Sequence, residues 1–200
     1  MVGKLYAIVA MRKRDRGIGA KNDLLYPFKE DLAHFKTCTM GEEKKGSVLI
    51  MGRKTFESLP GVLPKRHHMV VSHRPAPDHL PDQVTWCSSF IQALYLSQYK
   101  FPLEDMYVIG GASLYKEMWH YNPILIITHI IDTTSREKQP EADVFFPEIP
   151  DNYKLNTSGG WRTSMHKRHI TYCIDTYHPH YDLYHLYNSR EKQPEADVFS

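Results

Sequence analysis

The chain has 200 residues, 42% of them hydrophobic and 24% charged, with a formal charge of +2, which suits one globular domain able to cover both faces of a sheet. That length leaves no room for a second catalytic domain, and a charge so near neutral excludes a basic footprint for nucleic acid. Cys38, Cys87 and Cys173 are odd in number, widely spaced and free of any C-x-x-C pair, which argues against a disulfide framework and for a reducing, cytoplasmic setting.

Residues 5–10, Leu-Tyr-Ala-Ile-Val-Ala, form a continuous apolar run, the pattern of a strand buried on both faces of a parallel sheet. The run through Met11 is too short for a secretory signal or a membrane span. The charges that follow, Arg12, Lys13, Arg14, Asp15 and Arg16, are expected to be solvated. Apolar spacing predicts a helix over 31–36, and the buried-strand pattern returns at 47–51, before Gly52. A helix opens over 54–59, a strand follows at 68–72, an amphipathic helix at 90–99, and a strand at 106–109 runs into Gly110-Gly111. A helix over 113–119, a strand over 124–131 and a Thr- and Tyr-rich strand over 169–177 complete the series. Strands alternating with helices predict an α/β fold. It is a single domain with a mainly parallel central sheet, helices on both faces and an antiparallel C-terminal edge.

The domain is expected to span 1–178. Residues 179–200 form a Tyr- and His-rich tail in which 189–199 repeats 135–145 letter for letter. One duplication is too few for a solenoid and reads as recent, and its polar, proline-containing composition predicts disorder. His178 and His180 with His185 raise the question of a metal. No Cys or carboxylate completes a tetrahedral set at sensible spacing, so none is expected.

Chemistry is suggested at four places. Gly110-Gly111 follows a strand and precedes a helix, where backbone N–H groups can approach a pyrophosphate, although a glycine pair there also serves as a plain tight turn. At Gly52-Arg53-Lys54-Thr55 two cations and a hydroxyl meet a second strand-to-helix junction, either a phosphate site or a solvated helix start. Asp31 suits an exposed acid favoured by the helix dipole. Facing a pocket, it would instead have a raised pKa and could bind a heterocycle's amino group and ring nitrogen. Arg66, two residues after Pro64, is either surface or a clamp for a carboxylate.

The order of these features is more specific than any one. Ala10, Gly17-Ile18-Gly19, Leu24-Leu25-Tyr26, Asp31-Leu32-x-x-Phe35-Lys36-x-x-Thr39, residues 51–59 (Met-Gly-Arg-Lys-Thr-Phe-Glu-Ser-Leu), Leu63-Pro64-x-Arg66, Ile109-Gly110-Gly111-Ala112-x-x-Tyr115 and Asp143-x-x-Phe146-Pro147 together resemble the dihydrofolate reductases, from about residue 4 to about residue 177.

The resemblance implies an NADPH-dependent reduction of 7,8-dihydrofolate to tetrahydrofolate, serving one-carbon and thymidylate metabolism, by a monomer without nucleic-acid or membrane partners. It implies Asp31, with Tyr26 and Thr128, as the catalytic set, Asp31 orienting the pteridine and favouring N5 protonation through water. Ile8, Val9, Ala10, Leu32, Phe35, Leu59, Leu63 and Ile109 would line the substrate pocket, and Arg66 would hold the glutamate α-carboxylate. On the cofactor side it implies Ala10, Ile18, Gly19, Gly52, Lys54, Thr55 and the stretch Gly110, Gly111, Ala112, Ser113, Leu114 and Tyr115. Arg53, Ser72 and Arg74 would meet the 2′-phosphate, and His73 would also be on the cofactor side. Residues 143–147 would form a strand entering the sheet with a neighbour on either side.

Two features depart from the family. Leu25-Tyr26 stands where it usually has Pro-Trp, and Lys29 replaces a further proline, which bears on the loop that closes over the nicotinamide. The alternatives are a catalytically idle folate- or nucleotide-binding or structural homologue, or a reductase of another pterin-like substrate.

Overall fold

The computed structural model describes residues 3–41 and 46–180, and the duplicated run 189–199 with the disorder expected for the tail lies outside them. In chain order the described elements are β1 (Leu5–Arg12), β2 (Gly17–Ala20), β3 (Asp23–Leu24), α1 (Lys29–Thr39), β4 (Ser47–Gly52), α2 (Arg53–Ser58), β5 (Arg66–Val71), β6 (Val84–Cys87), α3 (Phe90–Lys100), β7 (Met106–Gly110), α4 (Ala112–Glu117), β8 (Ile124–Asp132), β9 (Val144–Phe145), β10 (Tyr153–Ser158), β11 (Arg162–Thr163) and β12 (Ile170–Pro179). Short 3-10 turns at Met118–Tyr121 and Arg136–Lys138 fill two connections.

A nine-stranded sheet runs in the order β10-β12-β8-β1-β7-β4-β5-β6, with β11 on β12. The pairs from β8 across to β6 are all parallel, and on the other side β12 is antiparallel to both β8 and the edge strand β10. The apolar runs dictate this arrangement. Val48, Leu49, Ile50 and Met51 of β4 are all fully buried, so successive side chains feed two cores on opposite faces. One core joins Val48 and Ile50 to Phe90, Ala93 and Leu94 of α3 and to Leu114 and Met118. The other joins Leu49 and Met51 to Phe35 and Cys38 of α1 and Phe56 of α2.

The order of the strands positions the site. β1 lies between β7 and β8, and β4 lies beyond β7, so connections leave the sheet in opposite directions around its centre. Such a switch leaves a crevice outside the carboxyl ends of the strands. Arg12, Gly52, Val71, Gly110 and Asp132 are those ends, and all lie on one edge.

Two expectations are corrected. Residues 143–147 do not enter the main sheet. β9 pairs with β2 alone, in a separate three-stranded sheet of order β3-β2-β9, because the antiparallel place beside β8 is taken by β12. Phe145 is therefore half exposed, whereas Phe146 turns inward against Tyr115 and Trp119. Nor are the charges of residues 12–16 all solvated, since Arg12, the last residue of β1, is only 4% exposed.

Candidate active site

Ile8, Phe35, Leu59, Leu63 and Ile109 meet in one cluster on the α1 face of the sheet. Strand alternation sorts the rest of β1: Val9 packs into the opposite core, and Ala10 joins Leu25 and Tyr26 in a third cluster beside β12. Leu32 is 46% exposed at the open side of α1. The helix start is held by Glu30, whose carboxylate accepts from the Ser164 hydroxyl at 3.0 and 3.1 Å and from Met165 N–H at 2.7 Å. That anchor points the next residue, Asp31, at the sheet.

Burial pushes the Asp31 carboxyl above its ordinary range, and a hydrogen bond with the Thr128 hydroxyl opposes the shift. Thr128 is in register with Ala10 across the β1–β8 pair. The charge of Asp31 is felt nearby: Tyr115 and Cys38 are raised first by burial and then by it. Tyr115 donates its hydroxyl to Ile8 O at 2.8 Å, so it braces β1 from within the core.

Arg66 is buried at the start of β5. Its Nε donates to Pro64 O at 3.1 Å and its Nη1 to Thr39 Oγ1 at 3.0 Å. Among the described residues no carboxylate pairs with it, and burial lowers its pKa. A desolvated guanidinium with donors to spare suits an anionic ligand. The loop before it rests on His68, whose Nε2 accepts the Leu63 N–H at 3.2 Å.

The two glycine junctions converge. A Cβ placed on Gly52 would sit 3.7 Å from Gly111 N, and one on Gly110 or Gly111 would sit 3.6 Å from Thr55 Oγ1. Gly110 has φ +118°, a conformation that favours glycine and leaves this backbone open to a ligand. Ala112 and Ser113 rim the cradle, whereas Leu114 and Tyr115 are buried in the core. Beside α2 a cleft of about 350 Å³ is lined by Asn22, Arg53, Lys54, Glu57 and Ser58. Here Arg53 Nη1 donates to both Glu57 carboxylate oxygens at 2.6 Å. Ser72 Oγ accepts the Arg74 N–H at 3.0 Å, and His73 and Arg74 are exposed.

The connection from β1 to α1 folds over this edge as β2 and β3. Gly19 is buried, Ile18 packs on the core, and Asp143 Oδ2 accepts Lys21 N–H at 2.8 Å. Tyr26 is buried, and its hydroxyl donates to Asp132 Oδ2 at 3.0 Å, turned to the end of β8 rather than to Asp31. Sequence reasoning missed Arg12, Asp132, Thr39 and His68. Arg12 carried one signal, a charge at the end of an unbroken apolar strand. Among the described residues no cluster is suited to a metal ion, and the three cysteines are free. No described helix is long and apolar enough to cross a membrane.

Residues 4–179 match the family model described as dihydrofolate reductase. The chain is similar to dihydrofolate reductase type 9 of Escherichia coli, 38% identical over 147 residues, covering 72% of this chain and 80% of the relative. It is 36% identical over 159 residues to the dihydrofolate reductase of Bacillus subtilis (strain 168), covering 79% and 83%. With that of Buchnera aphidicola subsp. Acyrthosiphon pisum (strain APS) it shares 30% identity over 179 residues, covering 88% and 96%.

Proposed function

Because the chain belongs to the dihydrofolate reductase family and is an oxidoreductase reducing dihydrofolate to tetrahydrofolate, we propose that NADPH is its reductant and that Asp31, Thr128 and Arg66 hold the substrate. The observation that carries this reading is the Asp31 carboxyl, half-buried beside Thr128 and raised in pKa, on the same face of the sheet as the apolar cluster of Ile8, Phe35, Leu59 and Leu63. A pteridine needs such a slot, apolar for its ring and acidic for its amino group and ring nitrogen.

Asp31 orients the pteridine, and its carboxyl, raised by burial, favours protonation of N5 through water. Thr128 fixes the carboxyl. Arg66, pre-set by Thr39 and Pro64, takes the glutamate carboxylate as a two-pronged pair. The cradle of Gly52, Thr55, Gly110 and Gly111 suits a pyrophosphate, since at φ +118° Gly110 holds a backbone that other residues rarely adopt and that leaves the approach free of side chain. Arg53, with Ser72 and Arg74, reads the 2′-phosphate in competition with Glu57, and Lys54 serves the pyrophosphate. When bound, NADPH supplies the hydride. Ile18 and Gly19 then close over the nicotinamide side and exclude water.

The catalytic unit in this reading is residues 4–179, working as a monomer in the cytoplasm, which the three free thiols suit. The test follows the NADPH absorbance band with purified protein. Oxidation should require dihydrofolate and be much slower with NADH. Oxidation with a pterin lacking the glutamate tail but not with dihydrofolate would overturn the substrate, and equal rates with NADH would overturn the cofactor.

A further inference from the structure

Arg12 gathers three separate stretches of chain onto one buried cation. Its Nε and Nη2 form a fork on Asp15, at 2.8 Å to Oδ1 and 2.7 Å to Oδ2. Its Nη1 donates to Pro140 O at 2.8 Å and lies 3.5 Å from the Tyr26 hydroxyl. Asp15 passes the constraint on, because Oδ1 also accepts Gly17 N–H at 3.0 Å, at the first residue of β2. Tyr26 passes it to Asp132, which in turn accepts from Thr134 N–H and Oγ at 2.9 and 2.7 Å. Gln139 Nε2 ties the same segment down through Asp132 O and Thr134 O, at 3.0 and 2.8 Å. The loop that carries Ile18 and Gly19 is thus fastened at both ends to one guanidinium, and that guanidinium is fastened to residues 132–140.

We propose that Arg12, acting through Asp15, is a positioning residue that clasps the loop of residues 13–25 in its closed place for hydride transfer. The inference rests on the reductase reading of the site given above. A lysine would not substitute, since one ammonium cannot span two carboxylate oxygens, a carbonyl and a phenol in a fixed plane. Part of the unusual run 135–145 acquires a role as well, because Pro140 and Gln139 form the far side of the clasp. The pairing also keeps Asp15 charged: burial would raise its carboxyl, but the hydrogen bonds from Arg12 and Gly17 and the charges of Arg12 and Arg14 hold it below its ordinary value.

The clasp makes a claim that can be read without turnover. Lys13, Arg14, Arg16 and Lys21 are exposed trypsin sites in a segment that must open locally to be cut. Asp15→Asn keeps the shape and loses the charge, and Arg12→Lys keeps the charge and loses the fork. Each should speed tryptic nicking of the ligand-free protein at Lys13, Arg14, Arg16 or Lys21 by about tenfold, beyond what any fall in global stability measured by urea unfolding accounts for. Each should also lower kcat about tenfold while KM for dihydrofolate stays within about twofold. NADPH deuterated at the transferred hydrogen should show a larger isotope effect than in the wild type, and the double variant should be no worse than the worse single. Unchanged nicking and kcat in both variants, or losses that multiply in the double variant, would overturn the proposal. If Arg12→Lys does not fold, Asp15→Asn alone decides between these outcomes. Wild-type protein that never oxidises NADPH would instead sink the reading of the site, and the nicking comparison would still decide whether the clasp exists.

Discussion

His68 should make the fold sensitive to acid in a way that one substitution removes. The side chain is fully buried in β5 beneath the loop that leads to Arg66, edge-on to Phe56. Its Nε2 accepts the Leu63 N–H, so the ring proton is on Nδ1, which has no partner among the described residues. A second proton would set one N–H against another, in a site where burial already disfavours charge. Burial and the charges of Arg66 and His67 bring the pKa from 6.5 down to about 4. The native state then binds fewer protons than the unfolded chain, so this stability is present above pH 6.5 and is lost as pH falls toward 4. At 1.36 kcal/mol per pKa unit the loss is about 3 kcal/mol, or roughly 10 °C in thermal midpoint for a domain of this size. His68→Asn keeps an acceptor for Leu63 and removes the titration. Urea unfolding of both proteins from pH 4 to 7.5 isolates the residue, because all other groups cancel in the difference. The variant, somewhat less stable at pH 7 from the smaller side chain, should nearly match or overtake wild type at pH 4. Parallel stability curves would refute the assigned proton position and the burial cost together.

Asp31→Asn should keep NADPH affinity and lose ~10²–10⁴-fold of turnover at neutral pH in steady-state assays, with the deficit shrinking in acid. The same change should raise the melting temperature at pH 7, because a carboxyl whose pKa is raised by folding costs stability once pH exceeds its ordinary range. Arg66→Lys should raise KM for dihydrofolate by about 10–100-fold without weakening NADPH, as expected for a lost charge-assisted pair. Arg53→Ala should weaken NADPH by a similar factor in fluorescence titrations and leave NADH nearly unchanged. Since Glu57 competes for the same guanidinium, Glu57→Gln should tighten NADPH.

The parallel strands were legible because they are buried on both faces and need no alternation to betray them. Residues 47–51, 106–109 and 124–131 lie within β4, β7 and β8 to within a residue or so at each end. The helices were legible from apolar spacing, although α1 extends beyond 31–36 at both ends because Glu30 and its partners stabilise the first turn. Strands of two to four residues were not. β2, β3, β6 and β11 bury too little to leave a periodic signal, and of β9 only the existence, not the pairing, was foreseen. The glycine junctions could be placed from sequence because a strand-to-helix corner is local. What sequence could not give was the pairing of charges: Arg12 looked like one of five solvated residues, and its burial depends on Asp15, Tyr26 and Pro140 arriving from three directions. The Arg53–Glu57 pair, by contrast, lies at i,i+4 on a helix and was open to reading from spacing, though it went unread.

The central claim, direct hydride delivery to a pteridine held by Asp31, is tested by following the transferred hydrogen itself. Wild-type protein given dihydrofolate and NADPH deuterated at the transferring carbon should yield tetrahydrofolate carrying one deuterium at C6 by NMR, formed at a rate that falls ~10²–10⁴-fold in Asp31→Asn. Product without deuterium, or label transfer at an undiminished rate in Asp31→Asn, would contradict it.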